Sequence, residues 1–169
     1  NADTVLVIRP EKRDFVKLEG ASGGKSKWAG AATGPDGKIY CAPYDAESVL
    51  VVDVETQQIS FIHGVIGGRG KWFGAVAGPD GRIYCAPHNA DAVLVVNPED
   101  QSFSYIGGVG GTTGKWSGGA VGADGAIYFA PYNAESVLIV TPETGALTFL
   151  EGAGSRLGKY FGAATSVDG

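Results

Sequence analysis

Lysine followed by an aromatic residue recurs four times, as Lys27-Trp28, Lys71-Trp72, Lys115-Trp116 and Lys159-Tyr160. A second series, Tyr44-Asp45, His88-Asn89 and Tyr132-Asn133, follows the first three pairs at a constant interval. An aromatic face with ammonium, amide and imidazole groups suits a sugar or another small polar ligand. The ring covers C–H surface while the polar groups reach hydroxyls. Repetition of such a site makes binding multivalent and raises avidity without new contacts. Each series also has a purely structural reading. The Trp can wedge between repeats as core, the Asx can cap backbone N–H groups of its own turn, and the Lys can be a solvated surface residue.

Catalytic patterns are lacking. His63 and His88 fall at different places in the repeat, so they form no recurring ligand set, and His63 reads as an exposed loop residue. No nucleophile elbow and no H-x-x-x-H spacing occurs. The Gly-rich segments before Lys71 and Lys115 fail as phosphate loops: Val65 and Val109 stand where the first Gly belongs, and Trp follows the Lys where Ser or Thr is required. Asp36, Asp80 and Asp124 could hold a metal in principle, but Asp before Gly in a tight turn explains itself. The chain is therefore expected to be non-enzymatic and to need no cofactor.

The elements that must position these residues follow from the repeat. Trp28, Trp72, Trp116 and Tyr160 are each 44 residues apart, as are Asp36-Gly37, Asp80-Gly81, Asp124-Gly125 and Asp168-Gly169. The segments VLVI from Val5, VLVV from Val49, VLVV from Val93 and VLIV from Val137 keep the same time. One unit holds four short apolar stretches separated by turn signals, with nothing helical in period. In the unit from Lys71 the stretches are Trp72 to Ala77, Ile83 to Ala86, Val93 to Val96 and Phe103 to Ile106. The third is apolar at every position, so both of its faces must be buried. The fourth alternates, as an outer strand does. The small residues Gly30, Ala31, Gly74, Ala75, Gly118 and Gly119 suit a crowded innermost strand. This predicts an all-β fold, a β-propeller of four-stranded antiparallel blades with about four blade equivalents. The units run approximately over 1–26, 27–70, 71–114, 115–158 and 159–169, with a seam blade split between the termini. A solenoid is the alternative, but it would need caps that are not evident.

The phrase GPDG-x-IY-x-AP followed by a VLVV strand and Pro-Glu resembles the NHL, YVTN and SMP-30-like group of propellers. The likeness covers essentially the whole chain and implies a fold rather than an activity, because that group includes scaffolds, ligand-binding domains, lactonases and lyases. Cys-Ala-Pro stands where the group usually has Val-Ala-Asp. A lyase or lactonase remains the third reading, after a lectin-like or protein-binding module and a structural repeat fragment with no ligand of its own.

Bulk properties narrow the partners. The net charge of −5 argues against nucleic acid, and no apolar run approaches the ~20 residues of a membrane span. Cys41 and Cys85 occupy the same place in successive units, where the third unit has Phe129, so they read as buried volume rather than a disulfide. The compartment stays open. The chain has no Met and begins Asn1-Ala2-Asp3, as expected of a processed product or a piece of something longer. Four full units would take 176 residues against 169, and the seven absent correspond to Lys38 through Tyr44, a whole second strand. Self-association that completes a ring, as a homodimer or another homo-oligomer, is therefore expected. The first unit has drifted, with Lys17 in the place of Phe61, Tyr105 and Phe149, and Arg9 in the place of Asp53, Asn97 and Thr141. A charged edge and ordinary divergence account for this equally well.

Overall fold

The computed structural model describes residues 2–166, so the expectations placed on Asn1, Asp168 and Gly169 lie outside the described residues. Every element among the described residues is a β-strand. A two-stranded sheet, β1 (Thr4–Arg9) and β2 (Asp14–Glu19), comes first. Three four-stranded sheets follow. They are β3 (Trp28–Thr33), β4 (Ile39–Pro43), β5 (Ser48–Asp53) and β6 (Gln58–His63); β7 (Trp72–Ala77), β8 (Ile83–Pro87), β9 (Ala92–Asn97) and β10 (Ser102–Gly107); and β11 (Trp116–Val121), β12 (Ile127–Pro131), β13 (Ser136–Thr141) and β14 (Ala146–Glu151). Each is an antiparallel meander in chain order, the blade that the repeat predicts.

The GPDG turns close the first hairpin of each blade. Gly34 N donates to Lys38 O at 2.8 Å, and Asp36 Oδ1 accepts from Lys38 N. The same carboxylate holds a second group, because Tyr40 Oη donates to Asp36 Oδ2 at 2.9 Å. Asp80 with Tyr84 and Asp124 with Tyr128 repeat the pattern. Ala123 replaces the Pro of the third turn, yet Gly122 N still donates to Ala126 O at 2.8 Å. The left-handed Gly thus matters more to this turn than the Pro.

The innermost strands explain their small residues. Each carries a register shift at its second and third positions, where Gly30, Gly74 and Gly118 take positive φ. A Cβ on Gly30 would lie 2.5 Å from Gly74 Cα, one on Gly74 2.6 Å from Gly118 Cα, and one on Gly118 2.8 Å from Gly162 Cα. Successive inner strands therefore approach backbone to backbone, which only Gly permits.

Outward from that line, the sheets bury side chains between them. Tyr40, Ala42, Val49 and Val51 of one blade meet Ile83, Cys85, Leu94 and Val96 of the next. Tyr84, Ala86, Val93 and Val95 in turn meet Ile127, Phe129, Leu138 and Val140. Leu50 and Val52, on the opposite face of β5, pack against Val5, Val7, Val16 and Leu18 of the first sheet. Full burial of a Val or Leu contributes roughly 1.5–3 kcal/mol, so these layers hold the stack together. Both cysteines are free thiols inside it, Cys85 buried and Cys41 half-buried, and Phe129 fills the equivalent space.

The expectation that every third strand is buried on both faces holds for β5 and β9 but not at the ends of the array. On β1, Leu6 and Ile8 are 56% and 68% exposed, beside Phe15 and Lys17, their neighbours on β2. Lys17 thus sits on an open apolar face, where its equivalent Phe61 is half-buried. Arg9 donates to both carboxylate oxygens of Asp14 at 2.7 Å across the adjoining turn. At the other end Val137 and Ile139 are half-buried and Leu150 is exposed. Residues 160–166 run beside β11, held by Gly162 N donating to Ser117 O and Thr165 Oγ1 donating to Val121 O.

Candidate ligand-binding face

Hairpin geometry places the entrance of each first strand beside the exit of the second. Tyr44 N donates to Lys27 O at 2.9 Å, His88 N to Lys71 O at 2.9 Å and Tyr132 N to Lys115 O at 2.8 Å. The two predicted series therefore share one face. The same loops also bind the following blade. Lys71 N donates to Tyr44 O, Lys115 N to His88 O and Lys159 N to Tyr132 O, at 2.8–2.9 Å. Asp45, Asn89 and Asn133 each accept through Oδ1 from a glycine in the loop that leads to the next inner strand, Gly70, Gly114 and Gly158. Asn89 and Asn133 also donate through Nδ2 to Arg69 O and Thr113 O at 3.0 Å, so the Asx series ties successive entrance loops together rather than capping its own turn.

The lysines depart from the expectation of solvated surface residues. Lys27 is 6% exposed, and Lys71 and Lys115 are 2% exposed. Their stems pack in the interior, and backbone carbonyls take most of the ammonium groups. Lys27 Nζ donates to Ala2 O at 2.9 Å, Lys71 Nζ to Gly68 O at 3.2 Å, and Lys159 Nζ to both Ala134 O and Arg156 O at 2.8 Å. Among the described residues Lys115 Nζ has no hydrogen-bond acceptor, and it stands 3.9 Å from Asp91 Oδ1. Burial pushes the Lys71 and Lys115 ammonium groups below the usual lysine range, with nearby carboxylates opposing the shift.

The tryptophans serve as core, the structural reading offered for them by sequence. Trp72 and Trp116 are buried and Trp28 is half-buried, while Tyr160 is exposed. The indole Nε1 donors of Trp28, Trp72 and Trp116 reach Ser48 O, Ala92 O and Ser136 O at 2.8–2.9 Å. An aromatic residue of the outer strand covers each indole: Phe61 lies over Trp28 at 6.0 Å, Tyr105 over Trp72 at 5.9 Å and Phe149 over Trp116 at 6.2 Å, centroid to centroid. Tyr105 and Phe149 are each 43% exposed, so the reachable aromatic surface lies on the outer strand. In the sequence this series shows only as the outer-strand position that Lys17 takes in the first unit, with nothing local to mark it as a cleft wall.

Two clefts repeat with the chain. One of about 450 Å³ is lined by Gly23, Lys27, Trp28, Asp45, Glu47 and Phe61. One of about 490 Å³ is lined by their 44-residue equivalents Gly67, Lys71, Trp72, Asn89, Asp91 and Tyr105. Each joins a stacked aromatic pair to an exposed carboxylate and a glycine loop. His63 borders the first cleft and Arg69 the second.

Tyr44, His88 and Tyr132 belong to a different cluster on this face. With Phe73 and Phe161 they make ring contacts at 4.9–6.0 Å. His88 Nδ1 lies 3.0 Å from Trp116 O. A carbonyl can only accept, so Nδ1 donates in this contact. Phe73 and Phe161 escaped sequence reasoning because Ala29 and Ser117 fill the same place in the other units.

No protein-family model matches the chain, and no curated protein matches it. Among solved structures it is similar to virginiamycin B lyase from Staphylococcus aureus, with a TM-score of 0.80 and 14% identity over 98% of this chain and 54% of that one. It is similar to a streptogramin B lyase, with a TM-score of 0.73 and 13% identity over 89% of this chain and 48% of that one. An auxiliary nutrient binding protein from Bacteroides thetaiotaomicron is also similar, with a TM-score of 0.58 and 18% identity over 85% of this chain and 40% of that one. The chain spans about half the length of the two lyases. These likenesses bear out the β-propeller fold, on which both a lyase and a binding protein occur.

Proposed function

We propose that the chain is a non-enzymatic, lectin-like binding module whose repeated clefts each take a small polar ring ligand such as a monosaccharide. The observation that carries this reading is the recurrence of one lining, aromatic pair, carboxylate and glycine loop, in two clefts a unit apart. A sugar would stack its apolar face on Tyr105 or Phe61 and give its hydroxyls to Asp91 or Glu47. The candidate lysines, tryptophans and Asx residues act here by fixing the cleft walls.

The same reading includes self-association that completes a ring. Its support is the chemistry of the two open ends. Leu6, Ile8 and Phe15 present one side of an inter-blade contact, and Val137, Ile139 and Leu150 present the other. Joined head to tail, they would reproduce the interior junctions, and such heterologous contacts build rings or filaments.

Titration of a monosaccharide panel by NMR or calorimetry tests the ligand. Tyr105→Ala removes a half-exposed ring, so saturable binding should weaken while the fold survives. A panel with no binder, or binding indifferent to both Tyr105→Ala and Phe61→Ala, refutes the cleft reading and favours a repeat fragment with no ligand of its own. Native mass tests assembly. A single species at 17.3 kDa at all concentrations refutes it.

A further inference from the structure

Between β12 and residues 160–166 runs a groove unlike the ligand clefts. One part, about 520 Å³, is lined by residues including Tyr128, Ala130, Val137, Leu150, Tyr160 and Ala163. A second part, about 550 Å³, continues from Tyr128 and Ala163 to Ala120–Asp124 and Thr165. No strand among the described residues pairs with 160–165. We infer that this groove binds an extended peptide strand of the pattern Ile-Tyr-(Cys/Phe)-Ala-Pro by β-strand addition. The inference goes beyond the reading above, since neither the ligand clefts nor head-to-tail association requires it.

The interior of the molecule identifies the occupant. At the junction one unit earlier, the place between β8 and β11 is filled by β12 itself, Ile127–Pro131. Ile127 and Phe129 point from it onto Tyr84, Ala86 and Val93. The equivalents in the groove are Tyr128, Ala130 and Val137. Ala42 and Ala86 are 0% exposed beneath their covering strands, whereas Ala130 is only half-buried. The backbone is set out in the same way. Gly162 approaches Gly118 as Gly118 approaches Gly74, so 160–165 continue the line of inner strands. Inner strands pair with second strands in one register, Trp72 with Pro87, Ala75 with Cys85, Val76 with Tyr84 and Ala77 with Ile83. Carried forward two units, the incoming Pro lies opposite Tyr160, its Cys or Phe opposite Ala163, its Tyr opposite Ala164 and its Ile opposite Thr165. Main-chain bonds would give affinity, and the alternate side chains entering the groove would give specificity.

The test uses a labelled synthetic peptide with the sequence of Gly125–Tyr132, GAIYFAPY, titrated into the intact chain and followed by anisotropy and amide hydrogen exchange. Saturable 1:1 binding with new protection across 160–165 is expected. Ala130→Arg places a long charged side chain in the groove without touching a filled interior, and it should weaken binding by about tenfold or more. Equal affinity for a scrambled peptide, indifference to Ala130→Arg, or absence of binding overturns the inference. So does protection of β1 at Thr4–Arg9 in place of 160–165, because the open β1 edge is the competing template. Monosaccharide titration of the Ala130→Arg chain keeps the two proposals apart: the ligand clefts are remote from Ala130 and should bind unchanged.

Discussion

Replacing Gly74 with Ala is the most direct probe of how the blades meet. The added Cβ would lie 2.6 Å from Gly118 Cα and 2.8 Å from Gly118 N. Both are backbone atoms that cannot rotate away, so one inner strand must move by about 1 Å to restore ordinary contact, and overpacking of this kind costs about 1–3 kcal/mol. Gly74 also holds φ at 94°, where an L-residue adds about 1–2 kcal/mol. The sum, about 2–5 kcal/mol, is a large fraction of the 5–15 kcal/mol typical of a domain. Gly37→Ala is the control. Its φ is 77° but nothing lies within 4 Å of the added carbon, so it carries the conformational cost of about 1–2 kcal/mol alone. Urea unfolding of both variants, with midpoints compared at unchanged m, isolates the steric part. Gly74→Ala should be the more destabilised by about 1–3 kcal/mol. Equal midpoints would refute the backbone-to-backbone approach of the inner strands and the blade packing built on it.

Three other perturbations follow from buried polar groups. Burial pushes the Cys41 thiol up to about 11 and the Cys85 thiol higher still, which cuts the Cys41 thiolate fraction at pH 8 roughly a hundredfold. Both thiols should resist a disulfide reagent until urea is added, and rapid native labelling would contradict their packing. Burial, with the bond to Asp36 assisting and one from Gln101 opposing, raises the Tyr40 phenol to about 12. Its contribution to stability is therefore complete below pH 10 and lost as pH climbs from 10 to 12. Tyrosinate absorbance should rise together with unfolding, and independent titration in a folded chain would refute the coupling. Lys115→Met removes a buried ammonium without an acceptor and should be neutral or stabilising by about 1 kcal/mol. Lys159→Met loses two carbonyl bonds and should cost about 1–3 kcal/mol. Thermal melts that order the two the other way would refute the assigned bonding.

The repeat, the four strands of each unit and the turn residues are legible in the sequence, and antiparallel order then requires the Lys-Trp and Tyr-Asx loops to share one face. These follow from local chemistry: a period of two in apolar residues, Gly where φ is positive, and antiparallel order. The sequence also made the both-sided burial of β5 and β9 legible, because VLVV leaves no polar face. Tertiary structure alone decided the roles of the candidate side chains. Lys71 reads as surface in any local window, yet its stem is buried because the loop of the same face folds over it. Tyr105 looked like an ordinary outer-strand residue until stacking on Trp72 made it the exposed wall of a cleft. Phe73 and Phe161 come together although 88 residues separate them. Such contacts depend on how one blade is rotated against the next. The packing of whole sheets sets that rotation, and no local pattern encodes it.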